Sequence, residues 1–368
     1  MMFLCSGSEI KNKALSCYQD KNKEITCLEL EYNTPPQPGF NKKTILSAIK
    51  RLDVAIDYLN KTDSLKEDNL VISIENGIEM ENDLDLYFDV CYVACYRMKN
   101  NKLIFYSNLD QQNKIKLPVP KEIIKKVEKT GSFKMEFLGK EIDAGYNKTA
   151  GSFLAELGHD SKNWMKSLGV DRTTQIIRSL DYIFDKIYNN IESKFMYYPD
   201  FPKKGVLFCD VFEALQQPKI ANTVSSIIND KLFMIELRSG IRFDIIVGPE
   251  ARGFNLATSL SSCTGIPYKM IRKKGKLPGE TLNYMYKKEY GEDILEIKQT
   301  CDLENSNVII VDDLLATGGS AIAVIELLKK CRVKNIVCFF VKSVKELEEE
   351  AIEKMSELIN RDNIIILF

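Results

Sequence analysis

The feature that most constrains the fold is the stretch from residue 308 to residue 330. An apolar run, VIIV at 308–311, leads directly into Asp312 and Asp313, then into a loop of small residues and a stretch of helical apolar spacing. A fully apolar, β-branched run of this kind predicts a strand buried on both faces, as in a parallel sheet. The stretch therefore predicts a strand–loop–helix unit of an α/β domain.

The rest of the second half repeats this alternation. Strand patterns occur at residues 243–247, 268–271, 307–311, 335–341 and 363–368, and helical patterns at residues 253–263 and 320–330. Strands that alternate with helices of this length predict a parallel sheet covered by helices on both faces.

The first half also alternates, with more antiparallel content, so we expect a mixed α/β domain there. Strand patterns occur at residues 3–5, 24–32, 70–74, 86–96 and 102–107, and helical patterns at residues 11–18 and 43–59. The sequence KNN at 99–101 predicts a hairpin turn. A helix over residues 174–196 is predicted to contain the junction, near Ile187. The length of 368 residues suits two domains, which we place at residues 1–186 and 187–368.

Composition excludes several classes of function. The net charge of −1 favours neither nucleic acid nor an anionic membrane as a partner, and no apolar run approaches the roughly 20 residues that cross a bilayer. The start of the chain is too short for a signal peptide. The ten cysteines lack a framework spacing, so we expect reduced thiols in a cytoplasmic protein. The one histidine, His159, lies in a polar turn and is expected at the surface.

The loop after the apolar run predicts a phosphate site. Backbone N–H groups at a helix N-terminus bind phosphate oxygens, and two adjacent glycines allow close approach. The paired carboxylates suit ribose hydroxyls or a hydrated magnesium ion. The alternative is an ordinary strand-to-helix turn with acidic caps. No Walker sequence occurs.

This loop resembles the phosphoribosyl pyrophosphate (PRPP) signature of type I phosphoribosyltransferases, and its LLATGG sequence resembles the adenine-specific members. Four other segments resemble that family in the same order, at residues 198–210, 248–254, 271–281 and 289–291. The resemblance implies transfer of a phosphoribosyl group from PRPP to adenine, which gives AMP and pyrophosphate. It also implies Mg²⁺ as cofactor and a homodimer.

The resemblance assigns roles to individual residues. PRPP binding falls to Asp312, Asp313, Ala316, Thr317, Gly318, Gly319, Ser320, Arg252, Arg272, Lys273 and Lys276. Adenine binding falls to Leu207, Phe208, Cys209, Leu314 and Glu289. The catalytic group is Glu289, Tyr290, Arg252 and Asp313. Arg252 suits pyrophosphate because a guanidinium can donate two parallel hydrogen bonds.

Some of these residues have plainer alternatives or depart from the family pattern. Arg272, Lys273 and Lys276 are alternatively a solvated basic surface, and Phe208 is alternatively a core aromatic. Ser320 replaces a usual threonine, Cys209 replaces a usual basic residue, and Glu250-Ala251 replaces Asp-Ser, which can change metal or water contacts.

The first half carries weaker signals. Glu31 ends a strand pattern and Glu75 follows one, and the two acids can share magnesium with a triphosphate. The SGS sequence at 6–8 with Lys11 can hold phosphates. The alternative for these residues is surface acids and an ordinary helix cap. Read in order, residues 5–183 resemble the inosine/xanthosine triphosphatase family, which shares the ITP pyrophosphatase fold. That resemblance implies nucleotide binding by Ser6, Ser8, Lys11, Arg51 and Arg172 and metal binding by Glu31 and Glu75.

Two departures affect the first half. Residues 47–51 lack the usual Gly and Asn, and a longer polar stretch at residues 158–168 replaces a tight glycine turn. A degenerate domain kept for folding or dimerisation is therefore the alternative to a hydrolase. For the whole chain, the leading interpretation is a bifunctional purine nucleotide enzyme. The alternatives are transfer to hypoxanthine, guanine or xanthine, and a binding protein that senses PRPP without turnover.

Overall fold

The structure is a computed structural model, which describes residues 1–19, 24–81, 84–112, 114–188, 191–201, 204–205, 207–287 and 292–368. The chain divides into two compact units, Met1–Asn189 and Asn190–Phe368. The boundary lies just after the long helix in which the sequence places the junction. Each unit has its own sheet and is described by itself.

Unit 1 is a mixed α/β unit. Its strands are β1 Met2–Leu4, β2 Ile25–Cys27, β3 Gln37–Pro38, β4 Leu70–Glu81, β5 Leu86–Lys99, β6 Lys102–Ser107, β7 Leu117–Pro118, β8 Ser132–Phe137 and β9 Lys140–Tyr146. Its α-helices are α1 Glu9–Ser16, α2 Lys42–Lys61, α3 Lys121–Glu128, α4 Ala150–Ala155 and α5 Arg172–Tyr188, and a 3₁₀ helix spans Trp164–Leu168.

Two sheets organise the described residues of unit 1. The larger has the order β2-β1-β4-β5-β6, and β7 pairs with β5. In it, β1 is parallel to β2 and β4, while β4, β5 and β6 are antiparallel. The smaller sheet is antiparallel, in the order β3-β9-β8. The β5–β6 hairpin is confirmed, and Asn100 and Asn101 have the positive φ that its two-residue turn requires.

Unit 2 contains a mostly parallel sheet. Its strands are β10 Met196–Pro199, β11 Leu207–Asp210, β12 Ile245–Pro249, β13 Tyr268–Lys273, β14 Thr281–Lys287, β15 Glu292–Lys298, β16 Asn307–Leu315, β17 Asn335–Ser343 and β18 Ile364–Ile366. Its α-helices are α6 Phe212–Leu215, α7 Pro218–Ser239, α8 Arg252–Thr264, α9 Gly319–Lys330 and α10 Lys345–Ser356.

The strand order of the unit 2 sheet places the predicted site. The order is β14-β15-β13-β12-β16-β17-β18. The strands β13, β12, β16, β17 and β18 are parallel to one another, β15 is antiparallel to β13, and β14 and β15 form an antiparallel hairpin. The carboxyl ends of parallel strands meet at one edge, where ligands bind in open α/β sheets. The turns after β12, β13 and β16 therefore lie together at that edge.

Several sequence-based boundaries are wrong. The strands predicted at residues 70–74 and 307–311 continue to Glu81 and Leu315, because β4 pairs with β5 and β16 with β17 over that length. Glu75, Asp312 and Asp313 therefore lie within strands and not after them. The helix predicted to reach residue 196 ends at Tyr188, because Met196–Pro199 pairs antiparallel with β11, a partner that a local pattern does not reveal. The strand predicted over residues 24–32 covers only Ile25–Cys27, because its neighbour β1 is three residues long and the ladder ends with it.

Three smaller features relate to expectations from the sequence. His159 is exposed. In the described part of the chain, every cysteine whose side chain is placed has a free thiol. Among the described residues, the helices are all too short or too polar to cross a bilayer.

Candidate functional site

The loop between β16 and α9 has the geometry of an anion site. β16 ends at Leu315, and Gly318 takes a φ of +78° immediately before the first residue of α9. Thr317 and Ser320 are exposed, so their hydroxyls face solvent at the start of the helix. Backbone N–H groups in the first turn of a helix have no partner within the helix and bind anions. The predicted phosphate loop therefore has a backbone that suits its role.

An ion pair joins the last part of β16, just before this loop, to the start of α8. Arg252, the first residue of α8, donates from Nη1 to Asp313 Oδ2 at 3.0 Å. The guanidinium carbon of Arg252 also lies 5.2 Å from the centre of the Phe208 ring, within the range of a cation–π contact. Three residues that the sequence assigns to the adenine, pyrophosphate and ribose positions are thus brought together.

Asp312, the other acid of the pair, lies in a different environment from Asp313. Asp312 accepts the backbone N–H of Asp313 at its own Oδ1, with 2.9 Å between the two atoms. Burial, together with the neighbouring Asp313 carboxylate, raises the pKa of Asp312. In the last part of β16, the Asp313 carboxylate therefore faces Arg252, whereas the Asp312 carboxylate faces the backbone.

The basic segment, residues 271–281 at the end of β13 and beyond it, is held by acids. Arg272 Nε and Nη2 each lie 3.3 Å from a carboxylate oxygen of Glu250, whose Oε2 also accepts the backbone N–H of Lys273 at 3.1 Å. The hydrogen bonds from Arg272 lower the pKa of Glu250. Lys273 Nζ lies 3.5 Å from Asp293, and Lys276 is exposed. Glu250, which stands where the family usually has Asp, therefore holds the basic segment against the turn after β12.

The predicted adenine residues lie on β11 and β16. Phe208 is half-buried and makes an edge-on contact with Phe201 at 5.1 Å between ring centres, so it is not a fully buried core aromatic. Leu207 is exposed and Leu314 is half-buried. Cys209 is buried, and this burial raises the pKa of its thiol. The remaining predictions, Glu289 and Tyr290, lie outside the described residues.

Comparisons with known proteins place unit 2 among the phosphoribosyltransferases. The family model for the phosphoribosyl transferase domain matches residues 214–368. The adenine phosphoribosyltransferase of Helicobacter pylori strain G27 is 39% identical over 150 residues, which cover 40% of this chain and 80% of the relative. The enzyme of the same name from Drosophila pseudoobscura pseudoobscura is 43% identical over 140 residues, which cover 38% of this chain and 75% of the relative.

The chain belongs to the phosphoribosyltransferase family.

A solved structure is also similar to the phosphoribosyltransferase unit. The adenine phosphoribosyltransferase of Thermoanaerobacter pseudethanolicus is 36% identical, with a TM-score of 0.43, and the match covers 49% of this chain and 97% of the solved chain. The predicted resemblance of the second half to type I phosphoribosyltransferases of the adenine type is confirmed.

Unit 1 has a separate cavity of about 500 Å³. Its wall includes Ser8, Lys11, Glu75, Asn76, Asp89 and Arg172. Lys162 and Trp164, from the polar stretch that replaces a glycine turn, also line it. Three of the predicted nucleotide-binding residues, together with the predicted metal ligand Glu75, therefore share one cavity.

Glu75 lines this cavity and forms ion pairs with two cations. Its Oε1 lies 2.5 Å from Arg51 Nε and 3.7 Å from Lys11 Nζ. Burial lowers the pKa of Lys11, and the Glu75 carboxylate opposes that shift. Arg51 contacts Glu75 but is not among the described residues that line the cavity. Ser6 is buried, and its Oγ accepts the backbone N–H of Ser8 at 3.1 Å.

A second network surrounds Arg172 and includes Asp89 and Gln175, which were not predicted from the sequence. Arg172 Nη1 and Nη2 lie 2.5 and 3.0 Å from the two carboxylate oxygens of Asp89. Gln175 Oε1 accepts from Arg172 Nη1 at 2.8 Å and from Asn76 Nδ2 at 2.9 Å. The spacing of three residues between Arg172 and Gln175 on α5 is the only sequence signal for this group, since such residues share a helix face.

The magnesium predictions remain predictions. The described residues contain no group of three or more His, Cys, Asp or Glu side chains arranged to hold a metal. Mg²⁺, however, is commonly held by one or two carboxylates together with substrate phosphates. Glu75 lines the cavity, and Asp312 and Asp313 lie in the last part of β16, so both places offer oxygen donors of the right chemistry. Glu31 is exposed and is not among the described residues that line the cavity.

Proposed function

We propose that the phosphoribosyltransferase unit transfers the phosphoribosyl group of PRPP to adenine. In this reaction a bond forms between a ring nitrogen of adenine and C1 of the ribose, the bond from C1 to pyrophosphate breaks, and the nitrogen loses its proton. The observation that supports it best is the cluster of Phe208, Arg252 and Asp313 beside the phosphate loop. The names and identities of the relatives support adenine as the base.

The residues have separate parts in the proposed reaction. The loop at residues 316–320 binds the 5′-phosphate through helix N–H groups, and Asp312 and Asp313 bind the ribose hydroxyls. Arg252 and the basic segment bind the pyrophosphate and stabilise the charge that builds up on it as it leaves. Phe208 and Leu314 hold the adenine ring between them. Mg²⁺, when bound with the donor, neutralises part of the pyrophosphate charge.

A substrate panel tests this proposal. The purified chain is incubated with PRPP and each of adenine, hypoxanthine, guanine and xanthine, and formation of the nucleotide is measured. We expect AMP to form fastest, and Asp313→Asn to lower kcat/KM by at least about tenfold, because the substitution removes a charge that pairs with Arg252. Glu304→Gln, in an exposed pair with Arg332, is the matched control. Preference for another base, or PRPP binding without turnover, would favour one of the two alternatives.

We further propose that unit 1 hydrolyses non-canonical purine nucleoside triphosphates such as ITP and XTP. The cavity wall carries Ser8 and Lys11, which suit the triphosphate, and Arg172, which suits the nucleotide. Glu75 and Glu31 are the proposed magnesium ligands, and the ion would supply charge neutralisation to the phosphates. The acid partners of Arg51 and Arg172 are compatible with the non-catalytic alternative as well.

The test for unit 1 uses ITP, XTP, GTP and ATP with release of phosphate and of pyrophosphate as readouts. We expect ITP and XTP to be preferred and Glu75→Ala to abolish the release. Glu81→Ala, which removes an exposed ion pair with Lys116, is the control. Hydrolysis that survives Glu75→Ala would refute the assignment, and a wild-type unit without hydrolysis would support the degenerate domain.

A further inference from the structure

A buried glutamate beside the basic segment has no part in the assignments above. Glu296 lies in β15, and the register of the sheet sets it opposite Arg272 of β13 on one side and Asn283 of β14 on the other. Its exposed fraction is 3%. A buried carboxylate is costly unless hydrogen bonds compensate for the loss of water, so its partners indicate what it does.

Those partners are backbone groups of the basic segment. Glu296 Oε1 accepts the N–H groups of Lys276 and Leu277, each at 2.7 Å, and Thr281 Oγ1 lies 3.5 Å from Oε2. Burial by itself raises the pKa of Glu296, but the backbone donors outweigh it, and the pKa is lowered. Hydrogen bonds to an ionised acceptor are the stronger kind. The carboxylate therefore determines the path of the chain after Arg272.

That path determines where the Arg272 guanidinium lies. The carbonyl oxygen of Lys276, whose N–H is held by Glu296, accepts from Arg272 Nη1 at 3.3 Å. The other nitrogens of Arg272 face Glu250 at the turn after β12. Arg272 is thus held from two sides, by Glu250 directly and by Glu296 through the backbone of Lys276.

The sign of the charge supports a positioning role. A carboxylate near a site for a polyanion repels the ligand, but backbone N–H dipoles that point at its oxygens offset part of that repulsion. Glu296 therefore orders a cationic segment at a reduced electrostatic cost to anion binding.

We propose that Glu296 is a positioning residue for the pyrophosphate end of the donor, acting through the backbone of Lys276 on Arg272. This inference rests on the proposed transferase function. It implies that loss of Glu296 weakens binding of PRPP and of pyrophosphate, while binding of the base is retained.

The experiment compares Glu296→Ala and Glu296→Gln with the wild type in the full chain. For Glu296→Ala we expect KM for PRPP and Kd for pyrophosphate to rise roughly tenfold or more, with KM for adenine within about twofold, because hydrogen bonds to a charged group are lost in the segment that binds pyrophosphate. Glu296→Gln keeps a carbonyl oxygen as acceptor, so both constants should lie between those of the wild type and of Glu296→Ala. Glu236→Ala is the matched control, since Glu236 also accepts a backbone N–H, from Phe243 in another loop.

The outcomes separate this inference from its alternatives. Unchanged KM for PRPP in a folded Glu296→Ala protein overturns it. A parallel loss of kcat, of both KM values and of the melting temperature shows a purely structural residue and also overturns it. If Glu296→Ala does not fold, Glu296→Gln decides, and a wild-type KM for PRPP in that variant counts against the proposal. If the wild type transfers to no base, the function fails, and calorimetric titration with pyrophosphate still tests Glu296.

Discussion

At the scale of single residues, Arg252 is the most informative side chain of unit 2. Its side chain is 41% exposed, while that of its partner Asp313 is 6% exposed. The pair therefore combines a buried anchor with a cation that is open to solvent. A guanidinium has donors in a fixed plane, so Arg252 can keep its bond to Asp313 and still direct other N–H groups toward a ligand.

This geometry predicts the effect of Arg252→Lys. An ammonium group lacks the planar fork and cannot serve Asp313 and pyrophosphate together, so kcat/KM for PRPP should fall by about tenfold or more. Steady-state kinetics with saturating adenine measure the change. Arg332→Lys, in an exposed pair with Glu304, should leave the value unchanged. Equal kinetics for Arg252→Lys and the wild type would exclude a bidentate role.

Glu250 allows a prediction about pH. Its pKa is lowered in the folded chain by Arg272 and by the N–H of Lys273, so the folded state favours the ionised form more than the unfolded state does. The stabilisation is fully present above the unfolded pKa of about 4.3 and is lost as the pH falls through the lower folded value. The stability difference between the wild type and Glu250→Gln should therefore shrink between roughly pH 5 and pH 3, as measured by urea unfolding. A difference that grows on acidification would contradict this reasoning.

Residue types could be predicted from the sequence, whereas their partners could not. The phosphate loop, Arg252 and Phe208 were identified because motif spacing is local. The pairs Arg272–Glu250 and Arg172–Asp89 join residues that are 22 and 83 positions apart. Only the sheet and α5 bring them together, so no short window of sequence contains both members of either pair.

At the scale of elements, the start of α9 needs a backbone conformation that favours glycine, and it lies in the proposed phosphate loop. Gly318 has a φ of +78°, and a Cβ at this position would lie 3.3 Å from the Cβ of Ala351. Gly265, after α8, has a φ of +76° and no atom within 4 Å of such a Cβ. The two glycines share a conformation that side chains adopt at a cost, but only one lies in the phosphate loop.

The comparison of Gly318→Ala with Gly265→Ala separates stability from binding. Both variants should lose about 1 kcal/mol of unfolding free energy, because alanine is strained at positive φ. Only Gly318→Ala should also raise KM for PRPP, by several-fold, since it shifts the N–H groups that hold the 5′-phosphate. Denaturant unfolding and initial rates measure the two effects. A similar rise in KM in both variants would show that general destabilisation is the cause.

Elements with strong apolar periodicity were predictable, and those defined by a distant partner were not. Helix α2 follows the spacing of its buried residues, and β16 contains its apolar run, although pairing with β17 extends the strand to Leu315. Strand β10, however, consists of four exposed residues that become a strand only through pairing with β11. Propensity alone extended the preceding helix through it, because local pattern is a weak guide where tertiary pairing decides.

At the scale of the whole molecule, the two units have separate cores. In unit 1, one cluster of buried side chains, including Ile78, Trp164 and Met165, lies beside the cavity-lining segments, and in unit 2 another cluster fills the space around β16, β17 and α9. The clusters share no residue. Each unit can therefore bind its own ligand, and ligand binding stabilises the folded state of the unit that contains the site.

Calorimetry of the full chain tests this independence. We expect two unfolding transitions, and PRPP at about 100 times its Kd should raise one of them by roughly 5–10 °C, from about 2.7 kcal/mol of binding free energy in a domain of this size. ITP, added to the Glu75→Gln variant so that it is not consumed, should raise only the other. Asp313→Asn should weaken the PRPP shift and leave the ITP shift unchanged. If PRPP raised both transitions equally, the units would be coupled, and the assignment of one ligand to each unit would have to rest on kinetics alone.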